Sequence, residues 1–491
     1  FASNITMYML LRKVGIRRSV AFLTGLLFGF TPFVSYRITG HPTYIAMYLF
    51  TVPAIFFISL YNSQKVSKKI FYAILLGSSF VLMLLTNLYF VIMFALLIGI
   101  WVFFSFLFQF KESWQSFIAM YKYFIVSGIT AFTLLIPWII EFIANVRFNP
   151  RSVPTGFADN IAFSADIFGF FWPRHVMIAR PMVEYIIKNT GYKPFFEALI
   201  YPGILLVVTT FLYLKYKKAV SKHLQPVYLT ALTLLVFTFG PFLKIGIYQS
   251  SIPLPYLIIH YLPYFQMARA PGRFIAPFVF LMCIVFAFLM QLLLKKTLKK
   301  QWIVYTVILV IFFIDQWLYI APPLAIPIPR KIYSYLLKQP PTPLLEIPFT
   351  IRDGLKNHGH LHSVWSVAPQ FSHNHPLFGI YAGRVPDNQF AWFQTHPFFG
   401  PLGQLISLDN TNRLKSYRAI SQKQLKAASD FFGFEYVLLK EKEEYSTYSA
   451  RLLSQQFKPI QKNNGYTLYK KNNAKRTLTT YYRFNTEDTQ W

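Results

Sequence analysis

The sequence predicts an α-helical polytopic membrane domain of about ten spans followed by a soluble α/β or α+β domain. Three observations lead to this prediction. Hydrophobic residues make up 55% and aromatic residues 19% of the 491 residues, and long apolar runs fill the first 320 positions. Lys and Arg cluster in alternate gaps between these runs. After Tyr319 the composition becomes more polar, and residues 330–491 hold most of the acidic residues.

The individual spans follow from the apolar runs, because a helix needs about 20 apolar residues to cross a bilayer. After a partial helix near 1–11, we expect spans at 19–36, 43–62, 70–87, 89–110, 118–143, 198–215, 227–246, 273–294 and 301–320. The chain opens on Phe1 within an apolar run. We therefore expect the first span to be truncated, with at least one helix and one outer loop before it.

The basic gaps predict the orientation, because loops rich in Lys and Arg stay cytoplasmic. These gaps are 12–18, 65–69, 111, 215–222 and 295–300. They leave loops 144–197 and 247–272 and the C-terminal region on the outer side. We therefore predict a multi-pass inner (cytoplasmic) membrane protein, with a membrane domain at 1–320 and an extracytoplasmic domain at 321–491.

The net charge of +30 raises the question of a nucleic-acid partner. Much of the excess flanks the predicted spans, where it anchors topology and meets anionic lipid. We therefore expect membrane lipids, and no nucleic acid, as partners. The one cysteine, Cys283, excludes an intramolecular disulfide.

Loop 247–272 is too apolar for a solvated loop, and its prolines predict short interfacial or re-entrant helices. In the C-terminal domain, strand-like runs lie at 344–349, 376–381 and 434–439. A hairpin is expected around Asn463-Asn464-Gly465, and a helix at 422–432.

Arg269 and Arg273 flank Pro271-Gly272 at the predicted outer mouth of a span. Arginine grips phosphate through two parallel hydrogen bonds and stays charged at any working pH. We expect the pair to bind a lipid-linked phosphate or pyrophosphate. The alternative is that both arginines only reach the lipid headgroups.

Arg37 and His41 lie in a second predicted outer turn, where His41 could bind a phosphate oxygen or move a proton. Gly40 and Pro42 favour the simpler interpretation, a turn that begins the next helix.

Outer-loop acids are the candidate general bases or metal ligands. These are Asp159, Asp166, Glu184 and Glu197. Asp166 and Glu197 are the stronger candidates, since each lies beside an apolar stretch and could line a cavity. Glu141 and Asp315, near the outer ends of spans, are expected to face a cavity or a partner.

Histidines gather in the C-terminal domain, at His358, His360, His362, His373 and His375. Alternation on a strand would put the first three on one face, and His-rich tracts can bind metal. The sequence has no Cys nearby and no His-Glu-x-x-His pattern. A solvated or glycan-facing strand is the favoured interpretation, and a divalent metal remains an open alternative.

The stretch MYMLLRKVGIRRSVAFLTGLLFGFTPFVSYRITGHPTYIAMYLFTVP resembles the early spans of bacterial multi-pass membrane proteins of the GT-C glycosyltransferase superfamily. The similar proteins are a poorly characterised branch with a large extracytoplasmic C-terminal domain. Further similar stretches follow in order: FTFGPFLKIG, LPYFQMARAPGRF, LLEIPF followed by DG, HPLFGIYAGRVP and FFGFEYVLLKEKE.

The resemblance implies transfer of a sugar from a polyprenyl-phosphate donor to a glycan, lipid or protein on the outer side. It implies phosphate binding by Arg269 and Arg273 and, more weakly, by His41. The catalytic acid of such enzymes lies in the first outer loop, which we expect to precede residue 1. Among the residues of this sequence, Asp166 and Glu197 are therefore only weak candidates for a catalytic acid.

Two other functions fit the sequence less well. A transporter or flippase of lipid-linked glycans should show an inverted repeat and charged or broken helices at the membrane midplane, whereas the ionisable residues here cluster at the predicted outer ends. A non-catalytic envelope scaffold would leave Arg269 and Arg273 replaceable.

Overall fold

The computed structural model describes residues 1–37, 41–148, 158–173, 176–191, 196–262, 268–296, 301–317, 328–353, 356–360, 370–381, 385–407 and 420–472. The fold is mostly helical. It divides into two compact units, one of Phe1–Ala144 with Val153–Ala321 and one of Asn145–Ser152 with Pro322–Trp491. The first unit holds the apolar helices and the second holds most of the strands.

The first unit consists of helices and one small hairpin. Its helices are α1 (Ala2–Lys13), α2 (Arg18–Gly29), α3 (Pro32–Arg37), α4 (Tyr48–Asn62), α5 (Val66–Thr86), α6 (Leu88–Phe108), α7 (Phe110–Phe148), α8 (Ala158–Ala162), α9 (Arg180–Thr190), α10 (Ile204–Tyr216), α11 (Leu224–Thr238), α12 (Tyr256–His260), α13 (Ile275–Lys296) and α14 (Gln301–Gln316). Short 3₁₀ turns lie at Pro42–Ala46, Ile167–Phe170, Met177–Ala179, Phe196–Ala198 and Pro271–Phe274.

Among the described residues, six helical segments are long and apolar enough to cross a membrane. They are Arg18–Arg37, Pro42–Asn62, Val66–Thr86, Leu88–Phe108, Phe110–Ala144 and Pro271–Lys295. The apolar helices α10, α11 and α14 have 13, 15 and 16 residues. The predicted count of ten spans is therefore not confirmed, while the six helices are consistent with a multi-pass membrane protein.

Glycine and proline shorten two of the predicted spans. The run predicted at 198–215 becomes helical only at Ile204, after Pro202 and Gly203, whose φ is +103°. The run predicted at 227–246 stops at Thr238, before Gly240 with a φ of +74° and Pro241. Positive φ suits glycine and does not continue an α-helix, so hydropathy alone placed these ends too far out.

Asp315 fastens α14 to the beginning of α10. Its carboxylate accepts a hydrogen bond from the Ile204 backbone N–H at 2.7 Å and another from the Tyr201 hydroxyl at 2.9 Å. The first N–H groups of a helix have no partner within the helix, and a side-chain oxygen satisfies them. The expectation that Asp315 faces a protein partner is confirmed, whereas Glu141 is exposed.

The core of the first unit lies around α13. The Pro271–Lys295 segment has 72% of its most apolar window buried, against 28% for Leu88–Phe108 and 6% for Phe110–Ala144. Helices α2, α10 and α11 pack against α13. The exposed faces of α6 and α7 carry large apolar residues such as Phe103 and Phe132, which suits contact with lipid chains.

A β-hairpin follows α11 where the sequence predicted the end of a span and then interfacial helices. Strand β1 (Phe242–Ile245) pairs antiparallel with β2 (Tyr248–Pro253) around the turn Gly246-Ile247. Gly246 has a φ of +62°, which the first position of a two-residue hairpin turn favours. In the described part of loop 247–272, the α-helix is limited to the short helix α12.

The second unit contains helices α15 (Arg330–Leu336), α16 (Gln370–His373), α17 (Asp387–Thr395), α18 (Phe399–Ile406), α19 (Gln422–Phe432) and α20 (Glu444–Leu453). Its strands are β3 (Leu344–Ile347), β4 (Thr350–Arg352), β5 (Asn357–Gly359), β6 (Ile380–Tyr381), β7 (Tyr436–Lys440), β8 (Phe457–Asn463) and β9 (Tyr466–Lys471).

These strands form two small sheets. The larger has the order β3-β7-β9-β8, and the smaller has the order β5-β4-β6. Strands β3 and β7 are parallel, while β9 is antiparallel to β7 and β8. The strands predicted at 344–349 and 434–439, the hairpin at Asn463–Gly465 and the helix at 422–432 are confirmed, while only Ile380–Tyr381 of the 376–381 run forms a strand.

Candidate anionic-ligand site around Glu197

Three regions that are distant in sequence bring four side chains that can carry charge together in the first unit. Arg37 ends α3, and His41 precedes the 3₁₀ turn Pro42–Ala46. Glu197 lies in the turn Phe196–Ala198, and Arg273 lies in the turn that leads into α13. Short turns at helix ends therefore position all four side chains, which we call the Glu197 cluster.

The Glu197 carboxylate is the centre of this cluster. Its Oε2 lies 2.7 Å from Nη1 of Arg37 and 3.2 Å from Nε of Arg273. Its Oε1 lies 2.5 Å from Nη2 of Arg273 and 2.5 Å from Nε2 of His41. Each carboxylate oxygen thus has two nitrogen partners, and hydrogen bonds of this charged kind are the strong ones in proteins.

The backbone around Glu197 is held as firmly as its side chain. Nη2 of Arg37 donates to the Glu197 carbonyl at 2.9 Å and to the Leu199 carbonyl at 3.4 Å. A Cβ built on Gly272 would lie 2.2 Å from the Glu197 carbonyl oxygen. Only glycine therefore allows this close approach, which explains why Gly272 precedes Arg273.

Aromatic rings surround the two guanidinium groups. The Arg273 guanidinium carbon lies 4.4 Å from the centroid of the Tyr89 ring, and that of Arg37 lies 5.3 Å from the Phe33 ring. The Tyr44 ring packs edge-on against His41. Cations are attracted to the faces of aromatic rings, most strongly where water is excluded.

The hydroxyls of Tyr44 and Tyr89 beside the cluster are buried. That of Tyr44 has no hydrogen-bond partner among the described residues, while that of Tyr89 lies beside the Ala270 backbone. A buried hydroxyl without a partner costs about 1–3 kcal/mol. Such groups call for an explanation, and a bound ligand with acceptor oxygens is one.

The pKa of Glu197 lies well below its usual range. Burial acts in the opposite direction and favours the neutral acid, but the His41 hydrogen bond, the Arg37 charge and the Arg273 hydrogen bond together outweigh it. Glu197 is therefore ionised at neutral pH. Two guanidinium groups with one carboxylate carry a formal charge of +1 even when His41 is neutral.

The structure separates the two arginines that the sequence grouped. Arg273 belongs to the Glu197 cluster, with 11% of its side chain exposed. Nη1 of Arg269 donates to the Asp159 carboxylate at 3.2 Å, and its guanidinium carbon lies 5.8 Å from the Phe163 ring. Phosphate binding by either arginine remains a prediction. Arg273 is the stronger candidate, because it is buried and held by Glu197 and the Tyr89 ring.

The two acids put forward as catalytic candidates have different surroundings. Glu197 is the centre of the cluster. Asp166 is buried, and its side chain accepts a hydrogen bond from the Gly169 N–H at 3.1 Å, which caps the turn Ile167–Phe170. Glu184 pairs with Arg180 on the exposed face of α9. A catalytic role for Asp166 or Glu197 remains a prediction.

The histidines of the second unit are buried rather than solvated. Nε2 of His358 lies 3.1 Å from the Phe399 carbonyl, and the His360 ring packs against Tyr445. His373 and His375 are also buried, with ring centroids 5.9 Å apart. The interpretation as a solvated strand was therefore wrong for His358 and His360, and His362 lies outside the described residues.

Within the described part of the chain, no group of three or more His, Cys, Asp or Glu side chains is placed to hold a metal ion. The open alternative of a divalent metal thus gains no candidate ligands there.

Three residues of the site, Arg37, Tyr44 and Tyr89, have little or no signal in the sequence. The sequence predicts a simple turn at Arg37, yet this residue is fully buried, with 0% of its surface exposed. Tyr44 and Tyr89 carried no signal, since aromatic residues fill every span. One signal was available for Arg37, namely its position at the end of an apolar run. A cation that is buried at such a place needs an anionic partner.

Comparisons with known proteins give a family but no activity. No curated protein matches the chain. A family model described as a domain of unknown function, DUF6311, matches residues 2–318. This match covers the apolar helices and all members of the Glu197 cluster. The chain belongs to the DUF6311 family.

Proposed function

We propose that this protein is a membrane glycosyltransferase, which moves a sugar from a polyprenyl-phosphate-linked donor to a cell-envelope acceptor. We place the protein in the inner membrane, with the reaction on the outer face, as the basic gaps predict. The resemblance of the early spans to the GT-C superfamily supports the transferase activity. The six apolar helices supply the membrane setting that a lipid-linked donor requires.

One observation carries the proposal, namely the buried positive charge of the Glu197 cluster. Arg37 and Arg273 share one carboxylate, and the buried hydroxyl of Tyr44 beside them lacks a hydrogen-bond partner among the described residues. Removing an excess cation from water is costly unless an anion compensates it. A phosphate supplies both the negative charge and several acceptor oxygens for these donors.

The chemistry assigns different roles to the charged groups. In the transfer, the bond between the anomeric carbon and the phosphate oxygen breaks, and the acceptor oxygen bonds to that carbon as its proton passes to a base. The leaving phosphate gains negative charge, which Arg37 and Arg273 stabilise. Glu197 is a poor general base, because its pKa is held low. It instead holds the two guanidinium groups in position.

Binding of polyprenyl phosphate to the purified protein in nanodiscs tests the proposal. We expect Arg273→Gln to weaken binding at least tenfold, and Arg273→Lys to restore only part of the affinity, since lysine lacks the bidentate fork. Arg180→Gln is the matched control, because Arg180 pairs with Glu184 on an exposed helix face. Equal affinity in the wild type and Arg273→Gln, with both proteins folded, would overturn the phosphate site.

Transfer activity separates the three functional classes. Membranes containing the protein and a radiolabelled polyprenyl-phosphate sugar should pass the label to envelope material. Movement of the intact donor across the bilayer without loss of its sugar would instead establish a carrier. Binding of envelope glycan with neither transfer nor movement would establish a scaffold.

A further inference from the structure

The hairpin formed by β1 and β2 exposes an apolar tip. Ile247 and Tyr248 at the turn have 63% and 75% of their surface exposed, and Ile245 and Ile252 on the two strands are exposed as well. The Phe168 ring lies 4.0 Å from the position that a Cβ on Gly246 would take, and this ring is also exposed. We call these five side chains the hairpin tip.

The strands and turn of the hairpin, all of them described by the structure, carry almost no charge. Lys244 is the one charged residue of the segment 242–253. Its ammonium turns away from solvent and donates to the Ile161 carbonyl at 2.8 Å. An exposed cluster of large apolar side chains on such a segment marks contact with a membrane or a protein.

The chain path keeps the hairpin near the membrane helices. Strand β1 begins at Phe242, four residues after α11 ends at Thr238, so the hairpin starts within about 14 Å of that helix end. Helix α11 packs against α13, the most buried of the candidate spans. The Phe170 ring, from the same turn as Phe168, packs edge-on against Phe278 of α13.

We propose that the hairpin tip inserts into the boundary between lipid headgroups and acyl chains, as a second attachment of this unit to the bilayer. The hairpin follows directly after α11, within the unit that holds the apolar helices, and Tyr248 lies beside its turn. Tyrosine is enriched at this depth, where its ring is in lipid and its hydroxyl in water. Backbone N–H and C=O groups need hydrogen-bond partners at this depth. In a hairpin at the membrane surface, the paired strand or nearby water supplies these partners.

Site-directed spin labelling of the full chain in lipid nanodiscs tests this inference. Cys283 is fully buried, and Cys283→Ala removes the only native thiol. The test site is Ile247→Cys, with Tyr248→Cys as a second site should the first fail to fold. Phe103→Cys, with a native exposure of 62% in α6, is the lipid reference. Lys65→Cys, exposed in the turn before α5, is the water reference.

The measurement compares the collision rate of each label with oxygen, which concentrates in lipid, and with a water-soluble nickel chelate. The informative quantity is the ratio of the oxygen collision rate to the nickel collision rate. We expect this ratio at Ile247 or Tyr248 to resemble the ratio at Phe103 and to exceed the ratio at Lys65 at least several-fold. A ratio matching Lys65 would place the tip in water and overturn the proposal. Low accessibility to both reagents would mean that protein covers the tip, which also overturns it.

Discussion

Glu197 shows how one residue determines a site. Its carboxylate joins Arg37, His41 and Arg273, and its backbone carbonyl receives a further bond from Arg37. A buried ion pair adds little net stability compared with an apolar replacement, but removal of one partner leaves a buried charge without compensation. Replacement of this carboxylate should therefore destabilise the cluster strongly, because both arginines would lose their counter-charge.

We predict that Glu197→Gln lowers the free energy of unfolding by about 3–5 kcal/mol, because two guanidinium groups remain buried without their counter-charge. Thermal unfolding in detergent measures the loss. Glu184→Gln is the control, since it breaks an exposed pair within α9 and should leave the melting temperature unchanged. Similar melting temperatures for the two variants would contradict the assigned role of Glu197.

His373 is a second residue whose environment predicts a measurable effect. Burial and the neighbouring His375 lower its pKa to about 4, against about 6.5 in an unfolded chain. The folded state thus favours the neutral ring. Its contribution to stability is complete above about pH 6.5 and is lost as the pH falls from there toward 4.

We therefore expect acid to destabilise the second unit in that window, with a slope from His373 of about 1.4 kcal/mol per pH unit. Calorimetric melting of the full chain between pH 8 and pH 4 detects it. His373→Gln removes the titrating group, so the melting temperature of this variant should fall less over the same range. Superimposable pH profiles for the wild type and the variant would refute the prediction.

At the scale of elements, contact between the turns Phe196–Ala198 and Pro271–Phe274 builds the site. The approach depends on Gly272, since any Cβ there would meet a backbone oxygen at 2.2 Å. A backbone atom cannot move aside as a flexible side chain can. The two turns must then separate if Gly272 is replaced.

Gly272→Ala should consequently weaken polyprenyl-phosphate binding, with a loss comparable to that of the arginine variant, and should lower the melting temperature. Gly99→Ala is the control, because a Cβ on Gly99 of α6 meets nothing within 4 Å. Alanine is a better helix former by roughly 1 kcal/mol, so this control should melt at the same temperature or higher. Unaltered binding by Gly272→Ala would show that the close contact is unimportant.

The elements also show what sequence patterns can predict. The hairpin at Asn463–Gly465 was predictable because Asn-Gly has a specific turn geometry. Hydropathy alone does not predict the length of α11, since apolar residues continue beyond Thr238 while Gly240 and Pro241, which favour a helix end, follow it. Hydropathy measures the preference for lipid and carries little information about where the backbone turns.

At the scale of the whole molecule, convergence of distant segments escaped prediction. Glu197, His41 and Arg273 were each recognised as candidates from their local sequence. Their meeting was not, because Arg37 and Glu197 are 160 residues apart and Glu197 and Arg273 are 76 apart. Only packing of the helices around α13 brings these turns together, and that packing depends on many side chains at once.

The most direct test of a phosphate site at the Glu197 cluster is a density map of the protein in nanodiscs with a saturating polyprenyl-phosphate sugar. We expect phosphate density within hydrogen-bond distance of Arg273 and Arg37, beside the Tyr44 and Tyr89 hydroxyls. Phosphate density at another place, with the Glu197 contacts unchanged, would rule out phosphate binding by this cluster.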